Sequence, residues 1–227
     1  MRSSILLLAA ALLVTGCQPA NKVKRTLALN ELQNHAGYAE QQGDDATALE
    51  LWTEYIERRP HEAMARHRLG LVLMRTGKPA AAAEHLRVAH DLRPDRMEYL
   101  EALAEALHQS GQRDELFQLL RDTMSEGGLA AGRMRYAQYA QRAGLIDEAE
   151  ESLRIAVALE GARSDVPYRR LAELARQIGD PDREIEAWRT VLWFNVSDVE
   201  ANQRLKELGV IPGPSLALPP RGVDNAG

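Results

Sequence analysis

One short segment has residue types and spacing that could bind a nucleotide phosphate. Thr76, Gly77 and Lys78 resemble the end of a phosphate-binding loop, in which glycine amides and a lysine hold the phosphate oxygens. The pattern is incomplete, because Val72 stands where the loop needs its first glycine and Pro79 where it needs a metal-binding Ser or Thr. No strand pattern precedes the segment either. We therefore predict no nucleotide site here.

Two further clusters could bind a metal ion or serve acid–base chemistry. His85 and His90 are five residues apart on one predicted helix, so they lie on different faces and form a poor metal pair. An acidic cluster near the start of another predicted helix comprises Asp147, Glu148, Glu150 and Glu151. Negative charge at a helix N-terminus complements the helix dipole, which favours a solvated face over a catalytic pair. With neither an HExxH motif nor a nucleophile elbow, the sequence predicts a protein that is not an enzyme, with no catalytic residue, metal or cofactor.

A fixed interval organises the middle of the chain. Gly43, Gly77 and Gly111 are each separated by 34 residues, and Pro60 and Pro94 keep the same step. An interval of this size is typical of repeat proteins, in which each repeat contacts its neighbours and the array presents surface. The composition, rich in Ala, Leu, Glu and Arg, favours helices.

The best-matched repeat carries small residues where two helices would cross. In it, Gly70 follows Leu69 on a first helix, called A, and Ala82 and Ala89 lie on a second helix, called B. With this pattern and the 34-residue interval, residues 29–208 resemble the tetratricopeptide repeat (TPR) family. The resemblance implies an all-α, right-handed α-solenoid of about five helix pairs and a C-terminal capping helix. It divides the chain at 29–62, 63–96, 97–129, 130–164, 165–198 and the cap 199–208. Another α-solenoid, such as one of Sel1-like repeats, is the structural alternative.

The family resemblance also implies a partner-binding groove. In TPR proteins the A helices line a concave face, and four sites of each helix A point into it. In the second to fifth repeats these sites are Met64, His67, Leu71, Met74, Glu98, Glu101, Glu105, His108, Ala131, Met134, Gln138, Gln141, Val166, Arg169, Glu173 and Arg176. The groove would run from a methionine-bearing apolar end through an acidic centre to an arginine-bearing end. We expect a helical or extended partner segment with apolar anchors and a basic stretch; plain solvation of these side chains is the alternative.

A second candidate surface consists of aromatic residues near the end of the fifth repeat. Trp188 fits an inward-facing core site, whereas Trp193 and Phe194 lie at the end of helix B, where the cap would cover them. Packing is the favoured interpretation, because aromatic side chains bury large areas. If the cap leaves them exposed, they form a candidate binding hot spot.

The N-terminus predicts export and a lipid anchor. After Arg2, residues 5–14 form an apolar run that is too short to span a membrane and is typical of a secretory signal. Residues 14–17, which read VTGC, resemble a bacterial lipobox. The resemblance implies that segment 1–16 is removed, that Cys17 is lipidated and that 17–28 is a tether; an ordinary cleaved signal is the alternative. Because Gln18 rather than aspartate follows the cysteine, we expect attachment to the outer membrane, facing the periplasm.

Charge and chain ends limit the partners. The full chain has a net charge of −5, and removal of residues 1–16 takes away Arg2, which leaves 27 basic against 33 acidic residues. This balance argues against nucleic-acid binding. The segment 209–227 is rich in Pro and Gly and is predicted to be a disordered tail.

The combination of anchor and repeats predicts a function. It is similar to that of bacterial TPR lipoproteins, which include pilotins and Flp/Tad pilus assembly factors. The expected role is a protein-binding scaffold of the cell envelope that assists assembly of a pilus or secretion complex. The alternative is an adaptor that regulates peptidoglycan or exopolysaccharide enzymes.

Overall fold

The computed structural model describes residues 27–211 and 216–220, and all regular structure in them is helical. The predicted signal segment 1–16, Cys17 and most of the tether lie outside the described residues. The described residues form the helices α1 (Leu29–Gln41), α2 (Asp45–Arg58), α3 (Ala63–Arg75), α4 (Pro79–Leu92), α5 (Met97–Gln109), α6 (Arg113–Asp122), α7 (Leu129–Arg142), α8 (Ile146–Glu160), α9 (Val166–Ile178), α10 (Pro181–Phe194) and α11 (Val199–Glu207).

The helices form five successive pairs followed by a single helix, as the sequence predicts. The first helix of each pair is an A helix (α1, α3, α5, α7, α9), and the second is a B helix (α2, α4, α6, α8, α10). All five pairs turn at a glycine, namely Gly43, Gly77, Gly111, Gly144 or Gly179, each with φ between 72° and 75°. Glycine adopts this left-handed conformation without a steric penalty, so the regular glycine spacing in the sequence is the spacing of these turns.

Small residues allow the paired helices to approach each other closely. A Cβ atom placed on Gly70 of α3 would lie 2.5 Å from Cγ of Leu86 on α4. Leu86 itself is fully buried, as are Ala82 and Ala89 on the same helix. The second repeat therefore packs through the residues that the sequence analysis places at its helix crossing.

Helix α11 covers the end of the array. Ala201 and Leu205 are fully buried and pack against the core around Trp188 of α10. Asp198 caps the N-terminus of the helix, and its carboxylate accepts a hydrogen bond from the amide of Ala201 (2.9 Å). This arrangement is that of a cap, which shields the apolar side of the last repeat from water.

The described part of the tail packs against the fold, which differs from the sequence prediction. Leu216 and Ala217 pack on the core around Trp188, and Pro220 is buried. The prediction of a disordered tail over 209–227 is therefore wrong for residues 216–220. Apolar burial and hydrogen bonds to α10 offset the entropy that the segment loses when it is ordered. The Pro- and Gly-rich composition had suggested that this entropy loss would keep the tail disordered. Residues 212–215 and 221–227 lie outside the described residues.

The third repeat departs from the regular pattern. Its B helix, α6, has only ten residues, and a non-helical connection over 123–128 leads to α7. The connection passes so close to α7 that a Cβ atom on Gly132 would lie 1.8 Å from the carbonyl oxygen of Met124. Only glycine at this position lets the connection rest on the helix.

We predict that Gly132→Ala destabilises the protein and that Gly37→Ala does not. The added methyl group at 132 meets backbone, which cannot move aside as a flexible side chain can, so the melting temperature should fall by ~5 °C or more. Gly37 on α1 has open space around its Cβ position. Alanine there should leave the melting temperature unchanged or raise it, because alanine favours helix by about 1 kcal/mol. Equal melting temperatures for Gly132→Ala and the wild type would contradict the packing of 123–128 on α7.

Candidate protein-binding surface

The predicted groove residues all lie on A helices and keep some exposure. Helices α3, α5, α7 and α9 carry four each, and each is half-buried or exposed. Twelve of them define one surface. We call the surface that they form the A-helix face: Met64, His67, Leu71, Met74, Glu98, Glu101, Glu105, His108, Gln138, Arg169, Glu173 and Arg176. Their contact with a partner stays a prediction; what the structure defines is how they are held.

The methionines on α3 belong partly to the core. Met64 and Met74 are half-buried and pack against the main apolar cluster of the fold. Leu71 is half-buried. The apolar end of the face is therefore a shallow strip over the core, in which the two methionines also support the packing of α3.

A buried carboxylate joins α1 to α3. Glu40 accepts a hydrogen bond from Nε1 of Trp52 (2.8 Å), and its side chain is only 10% exposed. Its Oε2 lies 3.6 Å from Arg68 and 3.7 Å from Arg75. One acidic side chain of the first repeat thus meets two cations of the second, which holds the two A helices side by side.

An imidazole packed on a phenol ring joins α3 to α5. The rings of His67 and Tyr99 have centroids 4.5 Å apart. Burial, and next the nearby Arg68, lower the pKa of His67 below its usual value, although Glu98 opposes them. His67 is therefore neutral at pH 7 and acts as an aromatic contact rather than as a cation on this face.

An ion pair with two contacts joins α5 to α7. Arg142 donates hydrogen bonds to both oxygens of Glu105, at 2.6 and 2.9 Å. Gln109 donates to the same carboxylate at 2.8 Å, and the guanidinium of Arg142 lies 5.3 Å from the centre of the Tyr139 ring, which also packs on His108. The hydrogen bond from Arg142 contributes most to a pKa of Glu105 that is lowered to about 2.

The centre of the A-helix face is therefore ion-paired, whereas the sequence analysis expected it to be acidic. Glu105 is neutralised by Arg142, and Glu98 forms an ion pair with Arg96. The sequence contained a weak signal of the first pair, because Glu105 and Arg142 are 37 residues apart, about one repeat. Side chains on successive A helices meet at such offsets, so a repeat-spaced pair of opposite charges is a candidate lateral contact.

The capping segment holds Arg169 in place. Its guanidinium bonds to Asp165 (2.7 Å) on its own helix turn, to Asp198 at the start of α11 and to Glu200 (3.3 Å). These carboxylates, Asp198 foremost, raise the pKa of Arg169 above its usual value. Arg169 therefore joins α9 to the cap as the other contacts join neighbouring A helices, and most of its hydrogen-bonding capacity is used within the fold.

A cleft of about 470 Å³ lies between α9 and α11 at the C-terminal end of the face. It is lined by Val166, Arg169, Arg170, Glu173, Arg176, Trp188, Glu200 and Arg204. Arg170 lies 3.6 Å from Glu173, and Arg176 is exposed and forms no ion pair with any described residue. The accessible charge at this end of the face is therefore mainly that of arginines.

The aromatic residues near the cap divide between packing and exposure. Trp188 is buried and donates from Nε1 to Glu184 (3.2 Å), a buried carboxylate that also accepts from Arg204 (2.7 Å). Phe194 is half-buried, and Trp193, 39% exposed, packs edge-on against it with ring centroids 5.0 Å apart. Packing is the correct interpretation for Trp188 and Phe194, whereas Trp193 retains an accessible edge.

The clusters considered for chemistry do not assemble into a site in the described part of the chain. Glu150 of the acidic cluster pairs with Arg154 (2.7 Å) and Arg183 (2.9 Å), whereas His90 is buried and Nδ1 of His85 lies 3.3 Å from Arg66. Within the described residues no group of His, Cys, Asp or Glu is arranged to hold a metal ion. None of the helices there has both the length and the hydropathy needed to cross a membrane.

Comparison with solved structures identifies the fold. No protein-family model matches the chain, and no curated protein matches its sequence. The TPR protein TTC0263 from Thermus thermophilus aligns over 81% of this chain and 100% of its own, with 19% identity and a TM-score of 0.50. MamA residues 41 to the end, from Desulfovibrio magneticus RS-1, align over 75% and 97%, with 14% identity and a TM-score of 0.57. The fold is the TPR α-solenoid. At these identities the likeness concerns the fold alone.

We predict that Glu105→Gln destabilises the protein in a pH-dependent manner. The folded-state pKa of about 2 lies below the usual 4.5 of a glutamate, so the ion pair stabilises the fold fully above pH 4.5 and less as the pH falls toward 2. Because the pair is partly exposed to solvent, the loss at pH 7 should be ~1 kcal/mol in urea unfolding and should shrink below pH 4.5.

Glu98→Gln is the matched control for this measurement. Glu98 and its partner Arg96 are both exposed, and water screens such a surface pair, so its loss should destabilise the fold less than the loss of the Glu105–Arg142 pair. Equal losses for the two variants, or a loss for Glu105→Gln that does not change with pH, would contradict the assigned role of the Glu105–Arg142 pair.

Proposed function

We propose that this protein is a non-enzymatic scaffold that binds partner proteins through the A-helix face. The proposal rests on the row of A helices. The contacts between these helices use some polar side chains and leave others free to reach a partner. Glu101, Gln138, Arg170 and Arg176 are exposed on α5, α7 and α9. A rigid row of such side chains suits recognition of a long segment, because little ordering is needed when the partner binds.

The chemistry of the face favours a particular kind of partner segment. Leu71 and its half-buried neighbours on α3 offer apolar contact, and Arg170 and Arg176 offer positive charge at the other end. We therefore propose a helical or extended segment with apolar anchors followed by an acidic stretch. The acidic stretch replaces the basic one that the sequence analysis expected, because two of the three central carboxylates are already paired.

The proposed site of action is the cell envelope, with the lipidated Cys17 holding the protein to the outer membrane. Support comes from the order of apolar run, small residues and cysteine in the sequence. Several acyl chains together hold a protein firmly, since each buried methylene contributes ~0.8 kcal/mol. The similarity to anchored TPR lipoproteins then favours assistance in assembly of a pilus or secretion complex.

Affinity capture from gently solubilised native envelopes tests this function. We expect the lipidated wild-type protein to capture a secretin or pilus component, and the variant Arg170→Glu/Arg176→Glu to lose most of it. The matched control is Arg59→Glu/Lys78→Glu, which makes the same charge change at exposed positions in connections between helices. Capture of a wall or polymer enzyme, or equal capture by all three proteins, would contradict the proposal.

A third arm tests the anchor itself. Cells that are given a labelled fatty acid should incorporate the label into the wild-type protein and not into Cys17→Ser, which lacks the thiol that would carry the lipid. Equal label in the two proteins, or no label in the wild type, would contradict lipidation of Cys17.

A further inference from the structure

The tail segment 216–220 is bound to α10 by specific contacts. The amide of Leu218 donates to the backbone carbonyl of Arg189 at 3.0 Å, and Nε of Arg189 donates to the carbonyl of Leu216 at 2.8 Å. One residue of α10 thus holds the segment at two points, two residues apart. Pro220 is buried, so the segment is anchored by apolar contact beyond the hydrogen bonds as well.

The same segment forms one wall of a cavity that it does not fill. The cavity, of about 610 Å³, lies between the B helices α8 and α10 over α9. Its walls are lined mainly by apolar side chains, among them Val157, Leu171, Ala187, Leu218 and Pro219. The cavity lies on the B-helix side and includes no residue of the A-helix face.

The rim of this cavity is polar and internally paired. Glu150 on α8 bonds to Arg183 on α10 (2.9 Å) across it, and Arg154 bonds to Glu150 from the same helix (2.7 Å). Glu186 also lines the cavity, so two acidic and two basic side chains stand at the rim, which offers no unbalanced charge to a strongly charged ligand. An apolar floor with a neutralised rim fits a segment of apolar residues, as the tail segment itself shows.

We propose that the surface of α10 around Arg189, with the adjoining cavity, is a second protein-binding site that the chain's own tail occupies. Its partner is a non-helical segment of another protein with two apolar residues spaced as Leu216 and Leu218 and followed by prolines. The bound partner replaces residues 216–220, accepts the hydrogen bond from Nε of Arg189, and donates one to the Arg189 carbonyl.

Tethering explains why the site is closed in the chain alone. A covalently attached segment competes at an effective concentration near the millimolar range, so a free peptide of equal intrinsic affinity binds poorly until the tail is released. A partner succeeds when it contacts the unfilled cavity in addition to the surface that the tail uses. The tail thus excludes partners that contact only the surface it covers, and admits partners that also contact the unfilled cavity.

A labelled peptide with the sequence of residues 213–221 (GPSLALPPR) tests the proposal on the full chain. The variant Leu216→Asp/Leu218→Asp places charge in the apolar contacts and should release the tail. We expect fluorescence anisotropy to show roughly tenfold or more tighter peptide binding to this variant than to the wild type. Ile211→Asp, which changes an apolar tail residue that is 86% exposed, should bind like the wild type.

Two further variants identify the binding site. Adding Arg189→Met to the released-tail variant removes the donor to the peptide carbonyl and should weaken binding about tenfold. A peptide with both leucines replaced by serine should not bind the released-tail variant. Equal peptide binding to the wild type and the released-tail variant, or binding that Arg189→Met leaves unchanged, would overturn the proposal.

Two further measurements do not depend on the labelled peptide. Amide hydrogen exchange should show protection at Leu218, whose amide is bonded to α10; exchange at the rate of an unfolded peptide would overturn the proposal. Analytical ultracentrifugation should show no dimer that depends on the tail. A wild-type dimer that becomes monomeric in Leu216→Asp/Leu218→Asp would also overturn it, in favour of tail exchange between two copies.

Discussion

Lateral contact between successive A helices is the constraint on which the rest of this structure depends. Each helix pair can bury its apolar side only against the next pair, so neighbouring A helices must meet in register. The register is fixed by specific side chains: Glu40 reaches Arg75, His67 packs on Tyr99 and Glu105 pairs with Arg142. Arg169 continues the series to the cap through Asp198. These contacts hold the A helices in one row, and that row is the surface that we propose binds a partner.

The contacts within the fold decide which side chains remain for a partner. Charges that appear available in the sequence, such as that of Glu105, are used to join helices, and removing one partner of such a pair disturbs the fold as well as the surface. Exposed side chains that take no part in these inter-helix contacts, such as Gln138 and Arg176, remain available to a partner. The B-helix side differs, because there residues 216–220 cover part of the apolar surface of the chain. The two sides thus present different chemistry.

Sequence predicted the fold well because the repeat is a property of local residues. Some glycines have structural roles that can be predicted from their place in the repeat alone. Examples are the turn glycine Gly77 and the helix-crossing glycine Gly70. The pairing of Glu105 could not be read in the same way, since it depends on how far one A helix is shifted along the next. The tail was predicted to be disordered from its composition, without regard to the order of its residues. Leu216, Ala217 and Leu218 form a short apolar run between prolines, and that run packs on α10. The short helix α6 was also not apparent, as nothing before Gly127 breaks the helical pattern.

Site-specific photo-crosslinking in intact cells tests most directly whether the A helices are the partner-binding surface. A photoreactive amino acid would replace Gln138 on α7 in one protein and Glu84 on α4 in another, both exposed in the structure. The account predicts a crosslink from position 138 to an envelope protein and none to that protein from position 84. A crosslink from position 84 alone, with none from 138, would contradict it and move the partner to the B-helix side.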